Sequence, residues 1–336
     1  MSAVSLVAAG ASAAAVGWFV RERGLRRTHA VSPGVQKDVV LPHSEEFELY
    51  HNAFSLCSKK VRMCLAELGV AHRAHHVDLI ETGRYGTLSR SFLAVNPSAV
   101  VPVLVHRGHP VYESHEIIVY AAMHAHSGVR LVPEDPAAAA RMADWVHRSS
   151  LLGDRPVDDL KVSAGNCVPG LTLPLFAAMI GDIPTVRIAE GLLFHRLRVR
   201  PLLFLVMKAA GLARLPALRP AMALVRTSHR WMGRHLDDLE AELAQGGPWI
   251  LGEQFTLADV SWAVILDRLR EADWEASLLG ARRPHVTRYW DRIRDRPSYR
   301  AAMTEHEHPT VRLGTERLIA KRRSDPVFDA AVYGPS

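Results

Sequence analysis

The 336-residue sequence predicts a two-part molecule: a small α/β unit over 46–127, followed by an all-helical unit over 137–308. Three observations predict it. Residues 46–51, E-F-E-L-Y-H, alternate polar and apolar as a half-buried strand does. The segment 96–114, N-P-S-A-V-V-P-V-L-V-H-R-G-H-P-V-Y-E-S, holds two short apolar runs around an R-G-H-P turn. Beyond residue 136 the apolar spacing is helical almost throughout.

The elements follow in order. After the first strand comes the turn S-L-C-S. Val61, Cys64, Leu65 and Leu68 then share one face of a helix over 58–68, which Gly69 stops. His72 to Leu79 reads as a second strand, Val103 to His106 as a third, and Val111-Tyr112 opens a fourth. Glu113-Ser114 then opens a helix with Ile117, Ile118 and Ala121 on one face. Residues 29–45 and 128–136 read as linkers because they hold prolines and no helical period. In the helical unit, Thr256 and Asp259 have the spacing of a capping box, with Asp in place of the usual Glu. The tail over 309–336 is left without an element.

Two stretches stand apart. Residues 3–20 carry no charge and R-E-R-G-L-R-R follows them, so they read as a hydrophobic helix long enough to anchor the chain in a membrane. The basic flank would keep the bulk of the chain cytoplasmic. Overlapping an insert at 160–235, the span 191–236 has no Asp or Glu, nine Arg or Lys, and the apolar run L-L-F-L-V-M at 202–207. That mixture suits an anionic bilayer surface, and equally a helical hairpin closing over its own core.

The net charge of +6 favours anionic partners. No zinc finger, aromatic RNA-binding signature or dense basic arm accompanies it, so nucleic acid is set aside. Three cysteines, Cys57, Cys64 and Cys167, with no C-x-x-C, make neither a disulfide framework nor a zinc site. The cluster His72, His75 and His76 lacks a converging ligand set, so no metal is expected.

Cys57 is the candidate nucleophile. A thiol reacts as thiolate, and a helix N-terminus with cations nearby favours that form. Lys59, Lys60 and Arg62 supply such charge in sequence. Cys64 falls on the apolar face and reads as core. Cys167, in G-N-C-V-P-G, reads as a loop residue that lines an acceptor pocket or is inert.

S-L-C-S-K-K-V-R-M-C-L-A-E-L-G-V, N-P-S-A-V-V-P-V-L-V with G-H-P-V-Y-E-S, and T-L-A-D-V-S-W together resemble the glutathione transferase superfamily, from about Phe47 to about Ala302. The S-x-C-S turn is most similar to tetrachlorohydroquinone reductive dehalogenases, with zeta- and omega-class transferases nearby. The resemblance implies a thioredoxin-like amino-terminal domain that grips glutathione as co-substrate, and a helical domain that shapes the pocket for an apolar electrophile. It implies a cis peptide at Pro102, with Val101 presenting its backbone to the ligand, and an acid–serine pair at Glu113 and Ser114. Lys59 is assigned to the same cradle. Ser55 would donate a hydrogen bond to the glutathione sulfur, while Cys57 would resolve a mixed disulfide. Three alternatives stay open: a non-catalytic membrane-surface protein of the same fold, a different low-molecular-weight thiol, and a homodimer.

Overall fold

The structure, a computed structural model, describes residues 14, 16–153 and 155–334. Most of the uncharged run at 3–20, namely residues 3–13 and 15, therefore lies outside the described residues, as does the end of the tail, 335–336. Helix α1 is described over 16–25.

Five strands form one sheet: β1 (Gly34–Val35), β2 (Phe47–His51), β3 (Arg73–His76), β4 (Val103–His106) and β5 (His109–Tyr112), in the order β1-β5-β4-β2-β3. Helix α2 (Leu56–Glu67) is the crossover that makes β2 and β3 parallel, and β4 and β5 run antiparallel to their neighbours. Arg107 and Gly108 both have positive φ (50° and 85°), which gives the two-residue turn between β4 and β5 the twist a tight hairpin needs.

Alternation along the strands divides the core. Phe47, Leu49, Leu104 and Val111 face α2 and α4 (Ser114–His124) and join a core continuous with the helical unit. Val103, Val105 and Tyr112 face the other way, against Val77 and Phe92. Phe92 lies in the short helix α3 (Arg90–Leu93).

The 29–45 stretch is more than a linker. Its Gly34–Val35 pairs with β5 as an edge strand, and Leu41 N–H donates to Gly108 O at 2.8 Å. A two-residue strand is too short to leave a periodic signature.

The helical unit comprises α5 (Pro136–Ser149), α6 (Ala164–Met179), α7 (Thr185–Phe194), α8 (Val199–Ala210), α9 (Arg219–Leu243), α10 (Leu257–Glu271), α11 (Glu275–Leu278), α12 (Pro284–Arg294), α13 (Pro297–Ala302), α14 (Pro309–Ser324) and α15 (Pro326–Tyr333). Helix α10 is its axis, with Trp262 fully buried and its indole N–H donating to Trp145 O at 3.2 Å. The predicted capping box is present: Thr256 and Asp259 exchange bonds, and Asp259 also accepts from Ile250 N–H and Tyr289 O–H.

Cys167 lies inside α6, not in a loop. The glycines that suggested a loop serve close helix packing: a Cβ on Gly165 would meet Ser150 O at 2.3 Å, and one on Gly170 would meet Ser228 Oγ at 2.1 Å. The stretch from Ala164 to Asp182 is the one segment among the described residues long and apolar enough to cross a membrane. It is mostly buried in the fold and serves as core. The tail forms α14 and α15, and Tyr333 closes the chain onto α10 by donating to Ala272 O at 2.8 Å.

Candidate active site at the end of the sheet

Strand register assembles the site. Tyr50 pairs with Val103, and Leu104 pairs with Val111. Extending each ladder by one or two residues sets the end of β2, the start of β4 and the end of β5 side by side. The S-L-C-S turn, the Val101–Pro102 peptide and the Glu113–Ser114 corner therefore meet at one end of the sheet.

Each corner has a local cause. In the first, Asn52 Oδ1 accepts from Phe54 N–H at 2.8 Å, and Ser58 Oγ accepts from Asn52 N–H at 3.2 Å. Those bonds hold the chain as it leaves β2. Ser55 is the N-cap of α2, accepting from Ser58 N–H at 3.2 Å. Cys57 is the second residue of the helix and half-buried, so its thiol borders the site where the first-turn N–H groups are free. The second corner is the cis Val101–Pro102 bond, one residue before the β4 ladder begins. In the third, Glu113 is the N-cap of α4 with φ 68°, a conformation L-residues rarely adopt. Its side chain is exposed, whereas Ser114, the first helical residue, is buried.

Lys59 does not belong to this cradle. Its ammonium lies 2.6 Å from Asp267 and 2.6 Å from Glu271, both on α10, and is buried with them between the two units. Burial would raise the Asp267 carboxyl, but Lys59 and Arg270 hold it well below the usual carboxylate range. Arg62 likewise turns away from Cys57: its Nε donates to Ala302 O at 2.8 Å and its Nη1 to Asn52 O at 3.0 Å. Both departures have one cause. Side chains on one helix diverge by about 100° per residue, so neighbours in sequence face different surroundings.

Lys60 is the cation that stays. It stands three residues beyond Cys57, hence on the same side of α2. Its Nζ donates to Ser150 Oγ at 2.9 Å, and among the described residues it has no carboxylate in ion-pair contact. Burial lowers its ammonium to about 8, and the nearby charges that oppose this belong to Cys57 and Glu113. His115, next to Ser114, is lowered by burial and then by the Lys60 charge. The i, i+3 spacing was the signal for Lys60; His115 gave none. Cys64 is fully buried with Sγ 3.6 Å from Ile118 O, and burial pushes its thiol far up. Cys167 is buried against Leu160 O and pushed up to about 12. Of the three thiols, only Cys57 meets the site.

Known proteins match this arrangement. Residues 54–123 match the model for the glutathione S-transferase N-terminal domain, and 232–292 that for the C-terminal domain. Glutathione S-transferase 3 of Zea mays is 30% identical over 253 residues, covering 75% of this chain and 90% of the relative. The chain belongs to the glutathione transferase family. Another relative, the tetrachloro-p-hydroquinone reductive dehalogenase of Sphingobium chlorophenolicum, is 27% identical over 270 residues, covering 76% of this chain and 95% of the relative. In structure this transferase is similar to the beta-etherase LigF of Sphingobium sp. strain SYK-6, with a TM-score of 0.61 at 21% identity over 78% of this chain and all of the other. That likeness shows the fold: a thioredoxin-like sheet domain followed by a helical transferase domain. The N-terminal match, residues 54–123, spans all three corners of the candidate site, from Ser55 and Cys57 to Glu113 and Ser114.

Proposed function

We propose that this transferase uses glutathione to attack an apolar electrophile, and that Cys57 lets it carry halogenated aromatics through to reductive dehalogenation. The observation that carries the reading is a half-buried Cys57 at the N-terminus of α2, three residues before a buried lysine with no carboxylate partner among the described residues, at the corner where the cis Val101–Pro102 peptide and Glu113–Ser114 meet. The tripeptide's backbone would pair with Val101, its carboxylate with Ser114, and its ammonium with Glu113. Ser55 would donate to the glutathione sulfur and hold it as thiolate.

The chemistry balances in three steps. Glutathione thiolate displaces chloride from the ring and leaves an aryl thioether. Cys57 thiolate then attacks the glutathionyl sulfur; the aryl carbon leaves with the electron pair, takes a proton, and a Cys57–glutathione disulfide forms. A second glutathione thiolate attacks that disulfide, releasing oxidised glutathione and restoring Cys57. The aryl halide is reduced by two electrons and two glutathiones are oxidised. No metal enters any step.

Membrane attachment belongs to the same reading. The uncharged run at 3–20 and the basic residues after it support a tether with the folded body on the cytoplasmic side.

Incubation with glutathione and tetrachlorohydroquinone tests the chemistry. The wild-type protein is expected to release dechlorinated product and oxidised glutathione, and to show a glutathione adduct on Cys57 by mass. Cys57→Ala is expected to stop at the aryl thioether. Unchanged reductive turnover in Cys57→Ala would overturn the assignment of Cys57, and absence of both thioether and dechlorinated product with both proteins would overturn the dehalogenation reading.

A further inference from the structure

Helix α8 is apolar on both its buried and its exposed sides. Pro201, Phe204 and Met207 point into the fold. On the opposite side, Val199, Leu202, Leu203 and Val206 recur at i, i+3, i+4 and i+7 and are exposed, Val199 at 77% and Leu202 at 55%. A surface helix places charged residues on that side. An exposed apolar stripe marks an interaction surface.

The surroundings identify what covers it. Arg196 and Arg198 precede α8, and Arg214 and Arg219 follow it; all four are exposed and form no ion pair among the described residues. Arg200 is occupied by Glu81, and Lys208 by the carbonyls of Ile180, Gly181 and Ile183. No carboxylate occurs between 191 and 236. The surface is thus apolar along its ridge and cationic at its ends.

Helix α1 is fastened beside it. The Phe19 and Phe194 rings lie 6.1 Å apart, and Arg26 pairs with Glu190 at 3.1 Å, both partners on α7. Glu22, buried on α1, also pairs with Arg90 of the sheet unit. Trp18 and Val20 remain exposed on α1. The described part of α1, residues 16–25, is therefore held to the body next to α7, and α7 and α8 pack together.

We propose that α8, with its flanking arginines, docks on an anionic lipid bilayer as a second contact beside the N-terminal tether. The bilayer supplies what this surface lacks: a hydrocarbon phase for the stripe and phosphate headgroups for the arginines. Because α1 is pinned to α7, the second contact lies at a set position relative to the tether, and the two together turn one face of the body to the bilayer. The proposal rests on the tether reading for the geometry of the second contact, and the test separates the two.

Full-length protein is sedimented with vesicles of phosphatidylcholine, alone or with an equal part of phosphatidylglycerol. The wild type is expected to favour the anionic vesicles, and Arg196→Gln with Arg198→Gln to remove that preference. Leu202→Glu with Val206→Glu is expected to lower the bound fraction on anionic vesicles about tenfold, the loss of one or two buried aliphatic side chains, with an unchanged thermal transition. If that double variant binds as the wild type does while Leu6→Glu with Val7→Glu is released, the tether stands and the α8 contact is overturned. If neither variant differs from the wild type, both fall. If the α8 variant instead turns a dimer into a monomer in sedimentation velocity and leaves vesicle binding intact, a second copy is the occupant and the proposal is overturned.

Discussion

Two lysines adjacent in sequence have opposite fates on helix α2. Lys59 is buried against two carboxylates of α10, its charge fully matched. Lys60 is buried with a serine hydroxyl as its partner and no carboxylate in contact among the described residues. A matched buried charge is structural: it joins the sheet unit to the helical unit. An unmatched one costs stability, and that cost is tolerated where an anion is to be held. The side of α2 carrying Lys59 and Arg62 is the seam of the molecule, and the side carrying Cys57 and Lys60 borders the candidate site.

The comparison breaks most decisively at the seam. Asp267→Ala leaves the Lys59 ammonium buried with half its partners and is expected to lower unfolding free energy by about 3–5 kcal/mol in urea titration. A loss below about 1 kcal/mol would mean that the seam pair is no more than a surface contact.

Lys60→Met sharpens the other side. The folded-state ammonium sits at about 8, below its unfolded value of 10.5. The folded state therefore holds fewer protons than the unfolded chain between those limits, and stability rises with pH across that window. Below pH 8 the full cost is present. Lys60→Met is thus expected to stabilise the fold at pH 7, by up to roughly 3 kcal/mol less about 1 kcal/mol for the lost Ser150 bond, with the gain shrinking toward pH 10. The same variant is expected to slow alkylation of Cys57 by iodoacetamide at pH 7, because it removes a cation from the cysteine's side of α2. Stability and reactivity moving together would refute the contrast.

The smallest effect is expected at Glu113. Glycine tolerates the positive φ there, so Glu113→Gly should cost no stability and gain up to about 1 kcal/mol. It should raise the KM for glutathione while leaving the melting transition in place, because the carboxyl is exposed and, in the proposed cradle, would meet the ligand's ammonium. An unchanged KM would remove Glu113 from the cradle.

Local order was legible before the fold. Strand β2, the stop at Gly69, strand β4 and the Thr256–Asp259 box each write themselves into a short window through periodicity or cap chemistry. What escaped was either too short or depended on distant partners. Strand β1 has two residues. Helix α6 carries Gly165, Gly170, Pro169 and Pro174, which look like breakers until Ser150 and Ser228 are seen packed against the glycines. The tail's α14 and α15 lean on α6 and α10 rather than on a strong stripe of their own.

The two-part order and the candidacy of Cys57 follow from the residues alone, because periodicity, caps and short-range charge act over a few residues, whereas Pro102, Glu113 and Ser114 entered through the resemblance to the transferase family. Which cation stays on the cysteine's side of α2 depends on tertiary packing, since α10 lies more than two hundred residues away and takes Lys59 for itself. That packing also decided which face of α8 remains without cover, because a stripe read from sequence has no inside or outside until its neighbours are in place.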